Sequence, residues 1–307
     1  MESKHLLTLE DTSREELRTI LDLAHDYAEG SLDKPLEGKT VCLAFFEAST
    51  RTASSFELAA RRAGADVISL SEGSSAIAKG ESLIDTVVTL DSLGADAIVL
   101  RHPAAGAAQL ATRHTNAAVV NAGDGCGQHP TQALLDLYAL GEALGGFDEL
   151  AGRRVAIVGD VLHSRVARSV IPAFQAAGME VALVAPQTLL PGQEGVWGVP
   201  ILSSVDEALE WGAEVLYTLR LQNERMVGDS PRVPSVAEYA AYYGVSRRHL
   251  ESGILVMHPG PVNRGVEISG DVVLDAASLI PDQVAAGVAV RSAVLTIATG
   301  ALQEVVA

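Results

Sequence analysis

The chain has 307 residues, 48% of them hydrophobic, with 39 acidic against 22 basic side chains and a formal net charge of −17. That length and apolar content suffice for two domains of ordinary size with buried cores. So acidic a balance excludes nucleic acid and anionic membranes as partners, since both require a basic surface.

Two cysteines, Cys42 and Cys126, provide neither a disulfide framework nor a four-cysteine zinc site. No apolar run approaches the ~20 residues that span a bilayer, and Met1 to Leu9 lacks the basic-then-apolar layout of a signal peptide. A cytoplasmic protein is expected.

Thr12 to Glu16 offers a capping box, and Leu17, Ile20, Leu21, Ala24 and Ala28 then follow helical spacing. Val41 to Phe46 reads as a buried strand. Thr50 to Ala63 reads as a helix with Phe56, Ala59, Ala60 and Ala63 on one face and Gly64 as its stop. The turn between them, Ser49-Thr50-Arg51-Thr52, sets three hydroxyls and a guanidinium at a helix N-terminus. There the unpaired N–H groups and the helix dipole favour an anion such as phosphate. A single Ser or Thr would read as a cap; the consecutive run favours the anion.

A strand from Asp66 to Leu70 leads to a loop, Ser71 to Gly80, that holds Ser75 and Lys79, one of only four lysines in the chain. Next come a helix from about Glu81 to Leu93, a strand from Asp96 to Leu100 ending at Arg101, and a short helix near Ala107 to Arg113. A strand from Ala117 to Asn121 and a helix from about Pro130 to Leu144 follow. Gly145-Gly146 and Gly152 flank a break. A second alternating set then begins with the strand Arg154 to Val158 and a helix from about Ser164 to Ala177. Strands Glu180 to Val184, Glu214 to Thr218 and Ile254 to Met257 complete it, and Pro281 to Val306 is a terminal helical segment. The alternation predicts an α/β protein of two doubly wound parallel-sheet domains with a cleft between them. Their limits are placed at 1–145 and 146–280, with 281–307 as the terminal helix.

Val155 to Asp160 entering a helix invites a dinucleotide-binding reading, but one glycine stands where G-x-G-x-x-G needs three, so no nicotinamide or flavin cofactor is expected. This turn instead delivers Arg165 to the carboxyl end of its strand; Arg168 reads as surface. Arg220 and Gln222 follow another strand at alternate positions of an extended segment. Two guanidiniums, Arg165 and Arg220, suit the two carboxylates of a dicarboxylic acid. Gly123 to Gln132 is a glycine-rich loop entering a helix, with His129 and Gln132 one turn apart. Taken alone, Arg101 and Arg165 also read as solvated arginines and His129 as a structural hydrogen bonder. His258-Pro259-Gly260-Pro261 forms a stiff loop whose carbonyls suit an NH₂ group. No metal-ligand spacing and no G-x-S-x-G elbow occur in the sequence.

Ser49-Thr50-Arg51-Thr52 followed by Ser55-Phe56-Glu57 resembles the carbamoyl-phosphate signature of the aspartate and ornithine carbamoyltransferases. Lys79-Gly80-Glu81, Arg101-His102-Pro103, Asn121 to Gln132, Arg220-Leu221-Gln222 and His258-Pro259 follow in family order along nearly the whole chain. The resemblance implies transfer of a carbamoyl group from carbamoyl phosphate to L-aspartate, an early step of pyrimidine synthesis, without metal or cofactor. It assigns the phosphate to Ser49, Thr50, Arg51 and Thr52, with Ser75 and Lys79 reaching it from their loop. Thr52, Arg101 and His129 polarise the carbonyl, while Gln132 and the Pro259 and Gly260 backbone hold the NH₂. Arg165, Arg220, Gln222 and Lys79 take the aspartate.

The same resemblance implies a homotrimer in which Ser75 and Lys79 enter a neighbour's site, a terminal helix that crosses back onto the first domain, and room for a regulatory chain or a dihydroorotase as further partner. The ornithine branch is disfavoured, because its Ser-Met-Gly motif and the cysteine after the late histidine are missing. A catalytically silent scaffold would be marked by loss of Arg51, Lys79, Arg101 or His129, and all four are present.

Overall fold

A computed structural model of the chain describes residues 4–71, 81–191, 197–222, 235–250 and 253–301. The chain divides into two units, one of residues 1–138 with 284–307 and one of residues 139–283.

In the first unit, strands β1 (Thr40–Phe45), β2 (Asp66–Ser71), β3 (Ala97–His102) and β4 (Ala118–Asp124) form a parallel sheet in the order β2-β1-β3-β4. Val41 to Phe45 and Ala97 to Arg101 are buried along their whole length. This is why they read as unbroken apolar runs, since a parallel sheet covered on both faces leaves no polar side. Helix α1 (Arg14–Ala28) precedes β1, helices α2 (Thr50–Arg62), α3 (Leu83–Ser92) and α4 (Ala107–Ala111) connect the strands, and α5 (Pro130–Leu144) follows β4. Helix α1 starts at the anticipated capping box: Ser13 Oγ accepts from Glu16 N at 3.2 Å and Glu16 Oε2 accepts from Ser13 N at 3.0 Å. Phe56, Ala59, Ala60 and Ala63 are fully buried, as their shared helical face requires.

The second unit holds β5 (Arg154–Val158), β6 (Glu180–Val184), β7 (Ile201–Leu202), β8 (Val215–Thr218) and β9 (Leu255–Met257), again all parallel, in the order β7-β6-β5-β8-β9. Helix α6 (Arg165–Ala176) starts at Ser164, whose hydroxyl accepts from Ala167 N at 3.1 Å. Strand β7 and helices α7 (Val205–Glu210), α8 (Val236–Tyr243) and α9 (Arg247–Leu250) are additions to the expected elements. Arg168, expected at the surface, is half-buried and donates to Leu162 O at 3.4 Å.

The terminal helix, α10, runs Ile280–Ala298, ending eight residues before the expected Val306 in a turn at Gly300. It returns to the first unit, where Ser292 Oγ donates to Ala59 O at 3.3 Å and Thr296 Oγ1 bonds Tyr27 Oη at 2.5 Å. By length and composition α10 matches a membrane span, but Arg291, Ser292 and Thr296 on it are all buried against that unit.

Candidate active site

In an open parallel sheet the crevice for ligands lies beyond the carboxyl ends of the strands, where strand order reverses. In the first sheet that point is between β1 and β3, and in the second between β5 and β8. The sequence places Ser49 to Thr52 after β1 and Arg101 within the end of β3. Arg165 follows β5, and Arg220 and Gln222 follow β8. Each sheet thus offers cationic or hydroxyl side chains on both strands that flank its reversal.

At the first reversal, Phe46 N donates to Arg101 O at 2.8 Å, so the pairing of β1 and β3 runs on toward the turn. Ser13, Ser82 and Ser164 each cap their helices through the side chain, but Ser49, the N-cap of α2, makes no such bond. The α2 N-terminus is therefore left to another acceptor. Thr52 is buried while Arg51 is exposed. Arg101 is buried, its Nη2 donating to Glu47 Oε1 at 2.9 Å and its Nη1 to Ala122 O at 3.2 Å. A buried guanidinium needs such partners, and here they fix its plane.

The glycine-rich loop is organised by Asp124. Its Oδ1 accepts from Asn121 Nδ2 at 3.0 Å and Gln128 N at 2.7 Å, and its Oδ2 from Gly106 N at 2.6 Å. Gly127 N closes a turn onto Asp124 O at 2.7 Å. This frame delivers buried His129 to the start of α5, where Gln132 N donates to His129 O at 3.0 Å. Gln132 is held by a residue the sequence did not single out, its Nε2 donating to Oδ1 of fully buried Asp136 at 2.8 Å. Next to Arg101, the His102 ring stacks 5.2 Å from Phe46. Burial holds its imidazole below the usual histidine value, against the pull of Asp124 and Glu47, and Nδ1 accepts from Ala104 N at 2.9 Å. Ser75 and Lys79 lie outside the described residues.

At the second reversal, Leu219 N donates to Val158 O at 2.7 Å, so β5 and β8 stay paired up to the start of the Arg220 to Gln222 segment. Arg165 is buried at the first position of α6 and Arg220 is half-buried. The Arg220 to Gln222 segment is clamped by two buried carboxylates. Glu267 Oε1 accepts from Leu221 N at 3.0 Å, and Asp160 Oδ2 from Gln222 N at 3.1 Å. Glu267 is itself steadied by Asn263, through N to Oε2 and Nδ2 to Oε1, each at 2.8 Å. Burial raises its carboxyl above the ordinary glutamate value, these hydrogen bonds opposing the rise. His163 Nδ1 lies 2.8 Å from Asp160 Oδ1. In the late loop, His258 N donates to Gln283 Oε1 at 3.0 Å and Gly260 N to His258 Nδ1 at 2.7 Å, which sets the direction of the Pro259 carbonyl.

The sequence did not indicate Glu47, Asp136 or Asp160, which hold the candidate residues Arg101, Gln132 and Gln222 through hydrogen bonds, nor Asp124 and Glu267, which hold the backbone at Gln128 and Leu221 beside them. Asp124 and Asp160 had a readable signal, since Asp124 ends a buried strand and Asp160 stands two residues beyond one, each beside a glycine.

Two parallel sheets, each with anion-seeking groups on both sides of its reversal, define a two-domain α/β protein for small anionic substrates. Residues 4–142 match the aspartate/ornithine carbamoyltransferase carbamoyl-phosphate-binding domain, and residues 151–298 match the same family's aspartate/ornithine-binding domain. The chain belongs to the aspartate/ornithine carbamoyltransferase family. It is 76% identical over 307 residues, 100% of both chains, to an aspartate carbamoyltransferase catalytic subunit of Rubrobacter xylanophilus. It superimposes with a TM-score of 0.84 and 30% identity, covering 95% of each chain, on the Trypanosoma cruzi aspartate transcarbamoylase solved with carbamoyl aspartate and phosphate. An ornithine carbamoyltransferase from Gloeobacter violaceus gives a TM-score of 0.81 at 28% identity, over 97% of this chain and 99% of that one. The fold is common to both branches, so the acceptor must be argued from side chains.

Proposed function

We propose that the chain transfers the carbamoyl group of carbamoyl phosphate to the α-amine of L-aspartate, giving N-carbamoyl-L-aspartate and phosphate for pyrimidine synthesis in the cytoplasm. The observation that carries the reading is the pair Arg165 and Arg220, one following each strand at the second sheet's reversal. A dicarboxylate gains a cation for each carboxylate there, whereas the side-chain ammonium of ornithine would be repelled. The full-length likeness to a relative named for the aspartate reaction supports the same acceptor.

In this mechanism the neutral amine attacks the carbonyl carbon, the C–N bond forms, the C–O bond to phosphate breaks, and one amine proton leaves with the phosphate. Ser49, Thr50, Arg51 and Thr52 hold the phosphate at the α2 N-terminus, with Ser75 and Lys79 reaching it from a neighbouring chain of a homotrimer. Thr52, Arg101 and His129 meet the charge that gathers on the carbonyl oxygen, and Gln132 with the Pro259 and Gly260 carbonyls orients the NH₂. Arg165, Arg220, Gln222 and Lys79 bind aspartate. Preorganised charge and positioning supply the acceleration, so loss of one oxyanion donor is expected to cost roughly 10²–10³ in kcat. The test is a carbamoyl transfer assay on the purified chain with each acceptor offered separately. Turnover with L-aspartate and none above background with L-ornithine is expected, and preference for ornithine would sink the assignment.

A further inference from the structure

The first unit contains a buried cation that the proposed chemistry does not use. Arg291, on α10, is only 4% exposed. Its Nη1 donates to Ser55 Oγ on α2, and its guanidinium lies 5.0 Å over the Phe56 ring. Ser55 Oγ in turn donates to Thr52 O at 3.3 Å, one turn back toward the phosphate-binding end of the helix. Room for the guanidinium exists because residue 287 is glycine: a Cβ there would come within 2.5 Å of Arg291 Nη1. Burial lowers the guanidinium to about 10, the charge of Asp136 opposing the fall and that of Arg101 adding to it. A desolvated cation retained at this cost calls for an explanation beyond packing, which a methionine would serve as well.

We propose that Arg291 is a positioning residue for the carbamoyl-phosphate half of the reaction, holding the phosphate turn at the start of α2 from the returning helix α10. Through Ser55 it fixes the carbonyl of Thr52 and hence the first turn of α2. This inference rests on the reading of Ser49 to Thr52 as a phosphate site.

Three variants test it: Ser55→Ala, Arg291→Lys and Arg291→Met. Each is titrated with inorganic phosphate by calorimetry, and KM for carbamoyl phosphate, KM for aspartate, kcat and melting temperature are measured alongside. Expected is a rise of about tenfold in phosphate Kd and carbamoyl-phosphate KM for Arg291→Met, the scale of one lost charge-assisted hydrogen bond. Ser55→Ala should move the same two constants by a smaller factor. The aspartate KM at saturating carbamoyl phosphate should stay within about twofold of wild type. A lowered melting temperature with phosphate Kd unchanged would make Arg291 a purely structural residue and overturn the proposal, while leaving the phosphate reading intact. Failure of the wild-type chain to bind phosphate would overturn both.

Discussion

Arg101 Nη2 donates to Glu47 Oε1 at 2.9 Å, so the cation at the end of β3 is steered by a carboxylate from the segment that enters the phosphate turn. Glu47 is partly exposed and its net Coulomb contribution to stability is small, below about 1 kcal/mol. Its effect lies in geometry. Glu47→Ala should lower kcat by about tenfold with melting temperature nearly unchanged, because Arg101 then loses the carboxylate that steers its Nη2. Wild-type kcat in steady-state assays of this variant would mean that Arg101 is fixed without Glu47.

Gly159 has φ +125°, and a Cβ there would stand 2.7 Å from Leu219 O and 3.0 Å from Tyr239 Oη. Leu219 immediately precedes Arg220, so relief of the clash must shift the acceptor segment. Gly159→Ala should destabilise the chain by on the order of 2–3 kcal/mol and raise KM for aspartate more than KM for carbamoyl phosphate. Thermal denaturation and a two-substrate kinetic matrix would check this; equal effects on both KM values would count against the subsite division.

The native state favours neutral His102, whose value burial depresses, and the Ala104 N–H bond to Nδ1 requires that nitrogen unprotonated. A group whose native value is depressed adds stability that is present above its unfolded value of 6.5 and is lost as pH falls through the native value. Between about pH 7.5 and pH 5 the wild-type melting temperature should therefore fall more steeply than that of His102→Gln. Parallel melting curves would refute the assignment.

Lys79→Ala and Arg51→Ala should each be nearly inactive alone. Dissociated and reassociated together, they should regain activity, because some sites would combine an intact Arg51 chain with an intact Lys79 chain. If mass spectrometry demonstrates subunit exchange and the mixture stays inactive, Lys79 acts within its own chain.

Much of the architecture was legible because parallel strands buried on both faces write themselves as apolar runs, as in β1, β3 and β5. Strand β7 has two residues, too few for any periodicity, but α7 and α8 carried signals that went unread. Ser204 and Ser235 cap them and accept from Glu207 N and Glu238 N, each at 3.1 Å, the S-x-x-E spacing seen at α1. The phosphate turn was legible as a local string. The supports of the candidate site were not, because hydrogen bonds such as Asp160 to Gln222 and Arg291 to Ser55 join residues 62 and 236 positions apart. In sequence Asp136 and Arg291 look like ordinary helix-surface charges; only the three-dimensional arrangement buries them.

The return of α10 also dictates an order of assembly on the ribosome. The acceptor-side unit is a continuous stretch, 139–283, whereas the unit begun first needs residues from 284 onward to close its core. Ala59 and Tyr27 wait for Ser292 and Thr296, and Phe56 for Arg291. During synthesis the unit that emerges second can fold while the first is still open, reversing the usual N-to-C sequence. The donor site therefore matures last, once the residues from 284 onward have been made.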